Sequence, residues 1–128
     1  MNQWPTSAAI RLLIGRTRPF GPNGEPSAIA KHCVAGPLRL SASGFVGDEQ
    51  GDPLHHGGPD KALHHYPQEH YDCWRRDLPH VPAEHFCTGG FGENLATVGM
   101  TEQRVCVGDI FRFGTALIQV SQARQPCW

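Results

Sequence analysis

The residues whose types could do chemistry fall in three short stretches: "HHGGPDKALHHY" at 55–66, "FGENLAT" at 91–97 and "SQARQPCW" at 121–128. In the first, Gly57 and Gly58 let the backbone turn tightly and present N–H groups to an anion. Lys61 adds a point charge that can contact phosphate. His56, Asp60 and Lys61 around the glycines therefore suggest recognition of a polar, phosphorylated ligand. A hairpin loop with solvated charges accounts for the same residues. In the second stretch, Glu93 and Asn94 sit in a glycine loop before a small apolar segment. An Asn amide can pair donor and acceptor with the edge of a heterocycle, or it can cap the loop as an Asx turn. In the third, Arg124 lies three residues before Cys127, and Pro126 immediately precedes the thiol. Proline fixes φ and holds the segment extended. An arginine near the sulfur favours thiolate, a soft ligand for a metal of matching softness. The other reading of Cys127 is a small buried hydrophobe.

Histidine is abundant, with eight residues, of which His55, His56, His64 and His65 bracket one segment. Neighbours on a strand face opposite ways, so His64 and His65 do not easily share one metal. His70 falls on the helix that follows. There is no HExxH and no CxxC spacing. A zinc-dependent hydrolase built on these histidines stands as an alternative.

The bulk numbers bound the classes. A chain of 128 residues is expected to be one domain, residues 1–128. A formal net charge of −1 removes the general electrostatic case for binding nucleic acid or an anionic membrane. The five cysteines are scattered and odd in number, which points to reduced thiols in a cytoplasmic protein. In "AAIRLLIG", Arg11 interrupts a short apolar run, which makes a poor signal peptide and cannot span a bilayer.

Fifteen glycines and eleven prolines favour many short strands over long helices. "SAAIRLLIG" reads as a strand stopped by Gly15, and "RPFGPNGEP" as a turn. "SAIAKHCVAG" reads as a second strand, and "PLRL" starts a third that loosens into a glycine loop. A short strand is predicted across "KALHHY". "PQEHYDCWRRDL" is the one convincing helix, with Pro67 in its first turn and Tyr71, Trp74 and Leu78 as an apolar stripe. "FCTGGFGENLATVG" reads as a loop. "RVCVGDIFRFGTALIQVSQ" reads as three strands, with Phe111 and Phe113 in the core. The expected architecture is mainly β: a closed β-barrel-like domain with one main peripheral helix.

Taken together, "PSAIAK", "GDEQGD", "HHGGPDKALHHYPQEHYDCW", "FGENL", "GDIFRFGTALIQVSQ" and "RQPC" resemble the MOSC family, domains related to the C-terminal part of molybdenum cofactor sulfurases. The likeness is greatest to the YiiM-type bacterial members. The segments run in family order from Pro26 to Cys127 and cover most of the chain. The resemblance implies a closed, mostly β barrel that binds molybdenum cofactor, a pterin dithiolene with a phosphate tail. It implies that Cys127 is the molybdenum ligand and catalytic residue. It places His56, Gly57, Gly58, Asp60, Lys61, Glu93, Asn94 and Arg124 on cofactor-pocket segments. It further implies reduction of N-hydroxylated compounds, such as hydroxylaminopurine base analogues, to amines, with electrons from a separate redox protein. A family-level association with pyridoxal phosphate binding comes with it. Relatives of this type continue past the cysteine into a largely helical segment, which a domain ending at Trp128 is expected to lack. The rival within the family is a carrier holding persulfide sulfur on Cys127 for transfer to the cofactor.

Overall fold

The computed structural model describes residues 2–3 and 9–125. Its strands are β1 (Asn2–Gln3), β2 (Ile10–Ile14), β3 (Arg18–Phe20), β4 (Glu25–Ser27), β5 (His32–Val34), β6 (Leu40–Ser41) and β7 (Gly44–Phe45). After these come helix α1 (Pro53–His56), a 3₁₀ turn (Pro59–Lys61), β8 (His65–Pro67) and helix α2 (Glu69–Asp77). A second 3₁₀ turn (Ala83–His85) leads to β9 (Leu95–Thr97), β10 (Ile110–Phe113) and β11 (Ala116–Gln119).

The central sheet has the order β5-β2-β9-β8. β2 pairs antiparallel with both its neighbours, and β9 pairs parallel with β8. The two middle strands carry the core: Leu13 of β2 and Leu95, Ala96 and Thr97 of β9 are all buried. β2 is a mostly apolar run, IRLLI, in which Leu13 is buried while Arg11, two residues earlier on the same face, is exposed. β9 is buried on both faces, so it carries no alternating signal. That is why "LATVG" reads as loop in the sequence.

The expected closed barrel is not what forms. The described strands make open mixed sheets: the central one, β1-β10-β11, and the isolated pairs β3-β4 and β6-β7. Closure requires every strand to have two neighbours at a consistent stagger. Strands of two to five residues, cut by glycine and proline turns, do not supply it here. The mainly β character with few helices stands.

α2 begins at Glu69, with Gln68 as its N-cap residue; Pro67 closes β8 instead of opening the helix. Tyr71 is buried and stacks on Phe91 with ring centroids 5.5 Å apart. Trp74 lies at the edge of the stripe, 40% exposed and stacked on Phe86. Of the three strands read in 104–121, two form, β10 and β11. The stretch before them is turn, and its Cys106 is exposed instead of buried in a strand. Among the described residues no helix is long and apolar enough to cross a membrane.

Candidate functional site

The glycine segment is built on a four-residue helix, short enough that no periodicity betrays it. Asp52 caps α1: its Oδ1 accepts the His55 N–H at 3.3 Å, and its Oδ2 lies 2.7 Å from His55 Nδ1. Pro53 follows at the first helical position. Gly57 then donates its N–H to the Pro53 carbonyl at 3.0 Å, and a Cβ there would lie 2.6 Å from that oxygen. Gly58 has φ +94° with open space beside it, so conformation and not crowding requires glycine. Lys61 turns back, and its Nζ donates to the His55 carbonyl. His56 is half-buried and Asp60 exposed.

The 121–124 arm lies against this segment. Ser121 Oγ donates to the Asp60 carbonyl at 2.5 Å, and Arg124 Nη2 donates to the Lys61 carbonyl at 2.9 Å. The glycine segment and the arginine arm, far apart in sequence, are thus brought together. Arg124 is half-buried, and burial holds its pKa below the usual arginine range. Among the described residues no carboxylate lies within ion-pair distance of it. A partly desolvated cation without a counter-charge is costly, and an anionic ligand would offset that cost.

Glu93 and Asn94 point inward. Glu93 is fully buried. It accepts hydrogen bonds from Tyr71 Oη and the Gly89 N–H, each at 2.7 Å, and from the Phe91 N–H at 3.3 Å. Asn94 ties three segments together: its Nδ2 donates to the Leu13 carbonyl at 3.2 Å and to Asp48 Oδ2 at 2.8 Å, while its Oδ1 accepts the His64 N–H at 3.0 Å. Asp48 Oδ1 in turn accepts from Lys31 Nζ at 2.6 Å and from the Gly15 N–H at 2.8 Å. The Lys31 and Asp48 side chains are 6% and 2% exposed, a buried ion pair. Both pocket positions expected at 93 and 94 are therefore bonded inside the protein, where they shape the loop that carries them.

His64 sits where these parts meet. Burial, and secondarily the Arg124 charge, lower its pKa from 6.5 to about 4. Lys31 adds to the same effect, and the Gly92 backbone, hydrogen-bonded to the ring, opposes it. The imidazole is neutral at physiological pH. Burial lowers the His65 pKa as well, and its Nε2 is hydrogen-bonded to Thr97 Oγ1 at 2.6 Å. Among the described residues no group of three or more His, Cys, Asp or Glu converges to hold a metal. Cys127 lies outside the described residues. Reading residue types alone missed Lys31, Asp48 and His64 as site-shaping groups. The available signal was a lysine at position 31 in the mostly apolar stretch "SAIAKHCVAG"; Asp48, in the acidic "GDEQGD", carried none.

The arrangement is a mainly β domain in which an arginine arm lies against a glycine loop. A MOSC domain profile matches residues 52–128, and the chain belongs to that family. Among curated relatives it is 58% identical to Protein YiiM of Escherichia coli (strain K12), over 93% of this chain and 52% of that one. It is 39% identical to the uncharacterized protein YflK of Bacillus subtilis (strain 168), over 94% of this chain and 53% of that protein. It is also 39% identical to a Gibberella moniliformis (strain M3125 / FGSC 7600) protein named "Reductase", over 93% of this chain and 21% of that one. The chain thus spans about half the length of its bacterial relatives. The crystal structure of YiiM from Escherichia coli superposes with a TM-score of 0.73 at 43% identity, covering 96% of this chain and 49% of that one. YiiM from Geobacillus stearothermophilus gives 0.67 at 35%, covering 93% and 53%. The resemblance to YiiM-type members is borne out.

Proposed function

We propose that the chain is the cofactor-binding half of a cytoplasmic, molybdenum-cofactor-dependent oxidoreductase that reduces N-hydroxylated compounds, such as hydroxylaminopurines, to amines. One observation carries the reading: a half-buried Arg124 without a carboxylate partner among the described residues, latched at 2.9 Å to the glycine segment. Family membership, and a relative named "Reductase", support the reaction class.

The residues present suit an anionic pterin. Arg124 would offset negative charge, and the Gly58 N–H, past the Gly57 cap, would add a backbone donor. Cys127 would supply the single protein thiolate. When bound, the cofactor supplies two-electron chemistry at molybdenum, in the net reaction R–NHOH + 2e⁻ + 2H⁺ → R–NH₂ + H₂O. The protein orients the ligand and sets the local field. A neutral His64 adds no second positive charge beside Arg124. Electrons would come from a separate redox protein.

The test is metal analysis and turnover. Protein produced in a cofactor-competent host should hold molybdenum and reduce an N-hydroxylated purine. Stoichiometric zinc without molybdenum would overturn the reading. Reductant-labile sulfur on Cys127, without reductase turnover, would favour the persulfide carrier.

A further inference from the structure

A separate cleft of about 430 Å³ lies at the C-terminal end of β2. Its walls are Ile14, Arg16 and Arg18 along the run from β2 into β3, Ala30 and His32 leading into β5, and Gly47. None of these residues has a part in the reading above. The cleft does share a wall with the buried network: Gly15, next to Ile14, donates its N–H to Asp48, next to Gly47, at 2.8 Å.

The rim is basic in a chain that is not. Over all 128 residues, 11 Lys and Arg face 12 Asp and Glu. Around this one cleft stand two arginines and a histidine, all exposed. Two acids are near: Asp48, whose Oδ1 is held by the Lys31 ammonium and the Gly15 N–H, and Glu49, 3.8 Å from Arg16, whose other oxygen is engaged by the Thr17 N–H at 2.6 Å. Arg18 has no ion-pair partner among the described residues. Ile14 and Ala30 add apolar lining beside the cations, which weakens solvent screening there. Gly47 takes φ +94°, a conformation that side-chain-bearing residues rarely adopt, so the backbone there requires glycine.

We propose that this cleft binds a phosphate ester. Guanidinium forks match phosphate oxygens two at a time. A volume within the roughly 300–1,000 Å³ span of small-molecule pockets leaves room for an organic group behind the anion. The site itself does not depend on the proposed reaction. Its source does: the ester belongs either to a phosphorylated substrate, making a nucleotide preferred over its free base, or to the tail of the cofactor.

The experiment is calorimetric titration of protein purified without cofactor, using a purine nucleoside triphosphate and the matching nucleoside. The nucleotide should bind at least about tenfold tighter, and that advantage should shrink in high salt. Arg18→Gln, at an exposed position, should keep the thermal midpoint and remove most of the advantage. Equal affinity for nucleotide and nucleoside, or an advantage untouched by Arg18→Gln and Arg16→Gln together, overturns the site. Cofactor-loaded protein then separates the sources. Retained nucleotide binding, with a raised KM and unchanged kcat for a phosphorylated N-hydroxylated purine in Arg18→Gln, identifies the substrate. Lost nucleotide binding on loading, with reduced molybdenum content in Arg18→Gln, identifies the cofactor tail. If the chain holds no molybdenum at all, the titration still stands or falls by itself.

Discussion

The Asn94 side-chain amide donates to the Asp48 carboxylate at 2.8 Å, and it does so from the inside of the protein. Asn94 is 3% exposed. The bond places the residue as a joint between β2, the 46–50 loop and the run into β8. Its partner Asp48 neutralises Lys31 in the same buried spot.

Asp48→Asn should therefore be severe. It leaves the Lys31 ammonium buried without a counter-charge, a loss of about 3–5 kcal/mol. Chemical denaturation of the variant reads this directly. Replacing Lys31 and Asp48 together by Met and Asn should recover much of that loss, because the stranded charge is gone.

Tyr71→Phe removes the hydroxyl that donates to the buried Glu93 at 2.7 Å. A hydrogen bond to a charged group is worth about 1.5–3 kcal/mol. The expected drop in unfolding free energy lies in that range, with α2 retained by circular dichroism. An unchanged midpoint would mean that the Gly89 and Phe91 N–H groups satisfy Glu93 unaided.

His64 predicts an acid limb in stability. Its folded pKa, about 4, lies below the ordinary 6.5. As pH falls below 6.5 the unfolded chain takes up a proton that the folded chain refuses. Stability is thus full above pH 6.5 and is lost progressively toward pH 4, by roughly 3 kcal/mol for this one group. His64→Gln should flatten that part of the curve relative to wild type. Urea unfolding at pH 7, 6, 5 and 4.5 on both proteins measures it.

Arg124→Ala and Lys61→Ala should lower cofactor retention more than stability. Charge-assisted bonds of about 1.5–3 kcal/mol correspond to roughly one to two orders of magnitude in affinity. Arg124→Ala should have the larger effect, since the Lys61 ammonium is already turned onto the His55 carbonyl. Molybdenum content per folded molecule is the readout, with thermal midpoints as the control.

Much of this was legible from residues. An apolar run stopped by Gly15 gave β2, a 3.6-residue stripe gave α2, and glycine turns gave the β10–β11 hairpin. The pairing of "GGPDK" with the "ARQPC" arm followed from resemblance and not from any local rule; at the described residues it rests on backbone carbonyls of Asp60 and Lys61, which no side-chain pattern encodes. β9 was hidden because a strand buried on both faces does not alternate. α1 was hidden by its length, although Asp52-Pro53 is a cap-and-first-turn signature. Glu93 stood on a pocket segment by resemblance alone; its burial was hidden because a buried carboxylate cannot be told from an exposed one without knowing which backbone N–H groups surround it. Barrel closure failed because strand count says nothing about which edges meet.

The central claim rests on Cys127, and serine substitution tests it most directly. Cys33, Cys73, Cys87 and Cys106 are free and exposed, so their serine variants should keep turnover per folded molecule. Cys127→Ser exchanges a soft thiolate for a hydroxyl that stays protonated, with little change in volume. Reduction of an N-hydroxylated purine, measured on all five serine variants from a cofactor-competent host, should be abolished in Cys127→Ser alone. Wild-type turnover in Cys127→Ser would contradict the assignment.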